Sequence, residues 1–296
     1  MSFWTEALGA EIKFYDAGGW RTRAIEAGAG EPVILMHGVS GHAETFIRNV
    51  VPLADAGFHV YAIDAIGHGF SAKPTDVTYH APLFREHLKR FMDAIGAEKA
   101  HLVGQSLGGW TALDFARAYP ERAASIVSLT GAGILLDDEA ARKQSEDVHR
   151  RVQSVTQAAV EMPTFDGVKK RLQWLMADPS MVPDELVETR HRIMMLPDSR
   201  KSMPKLVAEM PGEANRAHMI READLKQIAT RTLIVWSDKN PTTPAAVGER
   251  AAKLMPNARF ELVKNAGHWP QYEQAKIVNE LIAAFLRGAR IGARAA

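Results

Sequence analysis

Gly104-Gln105-Ser106-Leu107-Gly108 sets a serine between two glycines, each two residues away. An apolar run, Ala100-His101-Leu102-Val103, precedes it and reads as a short buried strand. Gly109-Trp110-Thr111-Ala112-Leu113-Asp114-Phe115-Ala116 follows it and reads as a helix. A serine on a tight strand-to-helix turn sits in strained backbone with its hydroxyl held above the sheet, where it can act as a nucleophile. Bulk two residues to either side would clash with the neighbouring strand and helix, which explains the glycines. The helix N-terminus presents backbone amides, Leu107 first, to an oxygen on which negative charge develops.

A serine nucleophile needs a base. Among eleven histidines, His268 in Lys264-Asn265-Ala266-Gly267-His268-Trp269 comes just after the last strand-like run and beside a glycine. His37 belongs to a different loop, His101 to a strand, and His149 and His218 to a helical stretch in mid-chain. The histidine in turn needs a partner that orients it. That partner should follow the apolar run Thr232-Leu233-Ile234-Val235-Trp236, in Ser237-Asp238-Lys239-Asn240-Pro241-Thr242-Thr243-Pro244. Asp238 is the expected residue, because a buried charge stabilises the imidazolium that forms when the ring takes the serine proton. Asn240 is the alternative, a neutral acceptor that can fix the ring but supplies no charge. Asp137 and Asp138 are more distant candidates. A second oxyanion donor besides Leu107 should come from the turn after His37-Gly38, most simply the amide of Val39, with Gly38 and Gly41 letting backbone approach a substrate.

The elements that must hold these residues alternate. Ala10–Tyr15 and Trp20–Ala27 resemble an opening antiparallel pair. Strand-like runs at Pro32–Met36, His59–Asp64, Ala124–Leu129, Thr230–Trp236 and Arg259–Val263 are interleaved with helix-like runs at Glu44–Ala56, Leu83–Ile95, Ala245–Leu254 and Gln271–Leu286. Such alternation predicts an α/β fold with a mostly parallel sheet covered by helices on both faces. Residues 134–223 break it. They carry helical periodicity, no convincing strand, and prolines at 163, 179, 183, 197, 204 and 211 that cut the stretch into short helices. A crossover of this length is uncommon without structure of its own, so it reads as a helical cap inserted in a core formed by 1–133 and 224–296.

Composition excludes other classes. The 296 residues, 46% apolar, can bury one large core. A formal net charge of +1 gives no reason to expect nucleic acid or an anionic membrane as partner. Without cysteine there are neither disulfides nor thiolate metal sites. The N-terminus lacks a signal-peptide layout, and no apolar run approaches the roughly 20 residues of a membrane span. The expectation is a cytoplasmic protein that acts on a small molecule without cofactor or metal, monomeric or as a homo-oligomer.

The Gly-x-Ser-x-Gly elbow, His37-Gly38, the Asp64…Gly67-His68-Gly69-Phe70-Ser71 loop and Gly267-His268 together resemble the α/β-hydrolase superfamily over nearly the whole chain. Within it the sequence is similar to the meta-cleavage-product hydrolases, which cleave C–C bonds in 2-hydroxy-6-oxo-dienoates. Gly267-His268-Trp269-Pro270-Gln271-Tyr272-Glu273, Arg48-Asn49-Val50 with Pro52, Ser106-Leu107-Gly108-Gly109 and Asp178-Pro179-Ser180-Met181-Val182…Glu188-Thr189-Arg190 carry that similarity. The resemblance implies that Arg190 binds a substrate carboxylate and that Trp269 lines the pocket. Three departures stand out. The family's glycine-rich turn is here His37-Gly38-Val39-Ser40-Gly41-His42, and Gln105 replaces the usual asparagine before the nucleophile. Ser40 and Gln105 thus occupy the part of the pocket that would handle the dienolate. The pattern Gly-x-x-Asp-x-x-x-Pro, counted back from Pro244, puts Asn240 in the acid's place. The implied activity is serine-type C–C hydrolysis. Esterase or lactonase action on a small apolar ester, or ligand binding without turnover, are the alternatives. Met176, Met181, Met194, Met195 and Trp174 are expected to form an adaptable apolar roof over Ser106.

Overall fold

The computed structural model describes residues 2–138, 150 and 154–288. Its centre is an eight-stranded sheet. The strands are β1 (Glu11–Asp16), β2 (Arg21–Ala27), β3 (Glu31–Met36), β4 (Phe58–Ile63), β5 (Ala100–Gln105), β6 (Ala123–Leu129), β9 (Thr232–Ser237) and β10 (Ala258–Val263), in the order β1-β2-β4-β3-β5-β6-β9-β10. β2 runs antiparallel to both β1 and β4, and every other pairing is parallel. Val33, Ile34, Leu35 and Met36 are all buried without alternation, as a parallel strand covered on both faces must be. β1 is the exposed edge, and its Ile12 and Phe14 face solvent.

The helices that position the site are α1 (Ile47–Asp55), α2 (Ala81–Ala94) and α3 (Leu107–Ala118) before the insertion, and α7 (Ala245–Leu254) and α8 (Ala275–Leu286) after it. α1 packs with α8, and α2 packs with α3; α3 lies on β5 and β6, and α7 lies on β9 and β10. None of the described helices is long and apolar enough to cross a membrane.

Between β6 and β9 the chain leaves the sheet. Three helices dominate the described part of this stretch: α4 (Phe165–Leu175), α5 (Asp184–Met195) and α6 (Pro197–Glu209). Two features differ from the sequence reading. A two-residue parallel ladder, β7 (Ile134–Leu135) with β8 (Ile220–Arg221), ties the two ends of the stretch together. It is too short to leave a periodic signal. Pro204 sits inside α6 rather than ending it. Met203, Leu206 and Val207 around it are buried, and that packing outweighs the one amide bond that proline forfeits.

Candidate active site

Ser106 opens α3 with φ 54° and ψ −112°. This is a left-handed conformation that costs a non-glycine residue on the order of 1–3 kcal/mol. Backbone bonds enforce it: the Ser106 amide donates to Leu129 (3.1 Å), and its carbonyl accepts from Trp110 (3.1 Å) and Ala132 (3.0 Å). The flanking glycines are close-approach positions. A Cβ on Gly104 would lie 2.1 Å from the Gly108 backbone, and one on Gly108 would lie 2.1 Å from the Met36 carbonyl of β3. Side chains at these two places would push α3 off the sheet.

Ser106 and His268 line one cavity of about 130 Å³ together with Val39, Leu107, Trp269 and Arg190. As the first residue of α3, Leu107 has an amide with no carbonyl in a preceding turn to accept it. Val39 lines the same cavity from the turn after β3. Ser40 does not line it. With φ 57°, Ser40 turns its amide onto Nε2 of His68 (3.2 Å), whereas Gly38, Val39 and Gly41 of the same turn face the cavity. The tight turn itself removes Ser40 from the pocket. A Cβ on Gly38 would come within 2.6 Å of the Gln105 side-chain oxygen. Gln105 lines the cavity while its amide nitrogen donates to the His268 carbonyl (3.1 Å), so it also ties the histidine loop to the elbow. Thr130, which carried no signal in the sequence, donates to the same carbonyl at 2.9 Å.

The histidine's partner is where the structure departs from the sequence reading. Nδ1 of His268 is 3.0 Å from Oδ1 of Asn240 and 3.0 Å from the Thr242 hydroxyl. Asp238, favoured for its charge, is exposed, and its carboxylate takes the Ala266 amide instead. The reason is sheet register. The Asp238 amide bonds to the Val263 carbonyl (3.1 Å), continuing the β9–β10 ladder by one residue, and the chain turns toward the histidine only after that. Asn240 is fixed in one orientation. Its nitrogen donates to the Thr243 carbonyl (3.0 Å), and its oxygen accepts from the Thr242 amide (3.2 Å) and hydroxyl (2.9 Å). An oxygen can only accept, so Nδ1 of His268 carries the proton and Nε2 is left with its lone pair.

The His268 loop is also bound to the insertion. The His268 amide donates to the Leu175 carbonyl (2.6 Å). Glu273 accepts the amides of Gly267 (2.7 Å) and Ala177 (2.7 Å). Burial raises the pKa of that carboxyl.

Burial sets the protonation of the site. His268 is pushed down to about 3, first by desolvation and then by the charge of Arg171. His37 is lowered to about 3, chiefly by burial; its Nδ1 donates to the Gly38 carbonyl and its Nε2 accepts the Ala65 amide. His87 falls to about 3 and His68 well below the ordinary value for the same reason. These three rings support loops around the site, whereas His149 lies outside the described residues. Their burial has a consequence for stability. The unfolded chain takes up protons on His37, His87 and His268 near pH 6.5, but the folded chain does so only near pH 3, so falling pH favours unfolding across that window. The thermal midpoint is expected to be flat from pH 8 to about 7 and then to drop steadily below about 6.5. A midpoint unchanged down to pH 4.5 in a calorimetric series would contradict this.

Arg190, on α5, is 3% exposed and lines the cavity. Its guanidinium carbon lies 5.0 Å from the centre of the Trp269 ring. Its Nε and Nη2 are buried without a hydrogen-bond partner among the described residues. Desolvation, with the neighbouring Arg171 charge, lowers its pKa to about 9. Trp269 is buried at 3% exposure and forms the wall beneath this arginine. The expected methionine roof is not there. Met176, Met181, Met194, Met195 and Trp174 do not line the cavity, and Leu175, Val207, Met210 and Pro211 do. Met195 is half exposed on α5, and Trp174 lies against the guanidinium of Arg171.

A model of the alpha/beta hydrolase fold family matches residues 31–275. A 2-hydroxy-6-oxononadienedioate/2-hydroxy-6-oxononatrienedioate hydrolase of Paraburkholderia phymatum is 32% identical, over 90% of this chain and 91% of that one. A 2-hydroxy-6-oxo-6-phenylhexa-2,4-dienoate hydrolase of Burkholderia cepacia is 30% identical over the same shares. A solved meta-cleavage product hydrolase from Pseudomonas fluorescens superposes with a TM-score of 0.79 at 27% identity, covering 96% of this chain and all of that one. The chain is a hydrolase that belongs to the α/β-hydrolase family.

Proposed function

We propose that this enzyme hydrolyses a C–C bond in a 2-hydroxy-6-oxo-dienoate, with Ser106 and His268 as catalytic residues and the described helices of the insertion, α4 and α5 among them, as the roof of the site. The observation that carries the reading is Arg190. A guanidinium buried beside a nucleophile, with the Nε and Nη2 edge free among the described residues, matches a carboxylate in a two-bond fork. A site for neutral esters gains nothing from such a group and bears its desolvation.

Each residue then has a task. Arg190 anchors the substrate carboxylate against Trp269. Neutral His268, its Nδ1 proton directed to Asn240, offers Nε2 to take a proton from the substrate's 2-hydroxyl and deliver it along the dienol, giving a vinylogous diketone. The same nitrogen then serves Ser106 or a water that attacks the C6 ketone. The amides of Val39 and Leu107 stabilise the oxyanion. Collapse breaks the C5–C6 bond, and the electron pair is delocalised toward the 2-oxo group.

The test compares a dienoate ring-fission product, followed by loss of its absorbance, with a p-nitrophenyl ester. Arg190→Gln is expected to lower kcat/KM for the dienoate by roughly 10², the scale of a charged hydrogen-bond pair, and to leave the ester nearly unchanged. Arg190→Lys keeps the charge but loses the fork, so it should fall between. Equal losses on both substrates, or turnover of the ester alone, would favour the esterase reading.

A further inference from the structure

Arg171 stands in the same cavity wall, and cleavage of a monoacid gives it no task. It is 9% exposed, on α4, one helical turn before Leu175. Nε and Nη2 donate to the Thr156 hydroxyl at 3.1 and 2.9 Å, and Trp174 lies against its guanidinium at 5.2 Å. Nη1 is buried with no hydrogen-bond partner among the described residues. Arg171 and Thr156 both line the cavity, and no aspartate or glutamate is among the described residues that do.

Burying one guanidinium without a counter-ion is costly. Burying a second at the same cavity adds their mutual repulsion. The two are close enough for the Arg171 charge to act on both Arg190 and His268. Their free donors differ in kind. Arg190 presents the side-on Nε and Nη2 edge that one carboxylate occupies fully. On Arg171 that edge is taken by Thr156, which leaves Nη1 as an end-on donor. A single carboxylate satisfies the first group and leaves the second unanswered.

We propose that Arg171, held by Thr156, is a second anion subsite of this cavity, and that the physiological substrate is a dicarboxylate with one carboxylate on Arg190 and the other on Arg171. The inference rests on the reading of Arg190 as a carboxylate anchor. It makes Arg171 a specificity-determining residue, because it separates diacids from acids whose far end is apolar.

The experiment is a binding measurement that needs no turnover. Saturated straight-chain diacids and monoacids of equal length are titrated into the intact enzyme by calorimetry, with Arg171→Gln, Arg171→Lys, Thr156→Val and Arg190→Gln in parallel. The wild-type enzyme is expected to bind the best diacid about tenfold or more tighter than its monoacid counterpart, the scale of one charge-assisted hydrogen bond. Arg171→Gln should abolish that preference while monoacid affinity stays in place. Arg171→Lys should keep part of it, Thr156→Val should weaken it, and Arg190→Gln should weaken both ligands. Circular dichroism verifies folding, and if Arg171→Gln does not fold, Arg171→Lys and Thr156→Val carry the same comparison. The proposal is overturned if the wild type shows no diacid preference, or if the Arg171 variants weaken both classes equally. A diacid preference without dienoate cleavage would leave this subsite standing and sink the C–C hydrolase reading; cleavage without the preference would do the reverse.

Discussion

Ser106→Ala is expected to lower turnover of the dienoate by on the order of 10⁴ to 10⁶, because removal of one member of a cooperating catalytic group removes most of what the group achieves together. The fold should be unaffected or slightly firmer. Alanine fits the same elbow, and the bonds that hold its conformation come from backbone groups of residue 106 rather than from Oγ. Substrate affinity should survive, since the proposed anchor, Arg190, and the Trp269 wall are untouched. A fluorophosphonate should label the parent at Ser106 and leave the variant unlabelled. Dienoate turnover within tenfold of the parent would remove Ser106 from the chemistry.

Asn240→Ala should have the second-largest effect, a loss on the order of 10² to 10⁴ in kcat/KM, the range in which a wrong histidine tautomer costs a serine enzyme its base. With Asn240 gone, Thr242 is the remaining neighbour of Nδ1 at 3.0 Å, and its hydroxyl is free to donate there. That favours the tautomer with the proton on Nε2, which cannot accept one from serine. The double variant Asn240→Ala with Thr242→Val removes the misdirecting donor and should recover part of the activity. Asp238→Asn should cost little, because that carboxylate is exposed and bonded to Ala266 rather than to the histidine. Asn240→Asp should raise the pKa of His268 and with it the acid limb of the kcat/KM profile, since a carboxylate beside the ring favours the imidazolium that burial disfavours. If Asp238→Asn proves more damaging than Asn240→Ala, the orienting role belongs to Asp238.

The neutral orienter fits the electrostatics of the cavity. Two guanidinium groups and a neutral histidine face a space that no carboxylate lines among the described residues, so the negative charge is left for the ligand to supply. A catalytic aspartate here would compete with the substrate for the same cations.

What the sequence by itself determined was everything written in local pattern. Strand and helix periods, the glycines around Ser106 and the Gly267-His268 pair are fixed by steric rules over a few residues, so the parallel sheet, the elbow and the two catalytic candidates were legible. So was Arg190, though only through resemblance. Whatever depended on how separate segments meet was decided by the tertiary structure. Asp238 and Asn240 are two residues apart, and the choice between them turns on where the β9–β10 ladder lets the chain leave the sheet. Ser40 left the pocket because a positive φ turned its amide to His68. The methionines expected over the serine do not line the cavity, and Leu175, Arg171 and Arg190 of α4 and α5 do. A charge acquires meaning from its neighbours. Arg171 is one of 36 basic residues in the sequence, and only burial with no counter-ion among the described residues, beside a second buried arginine, marks it as waiting for an anion.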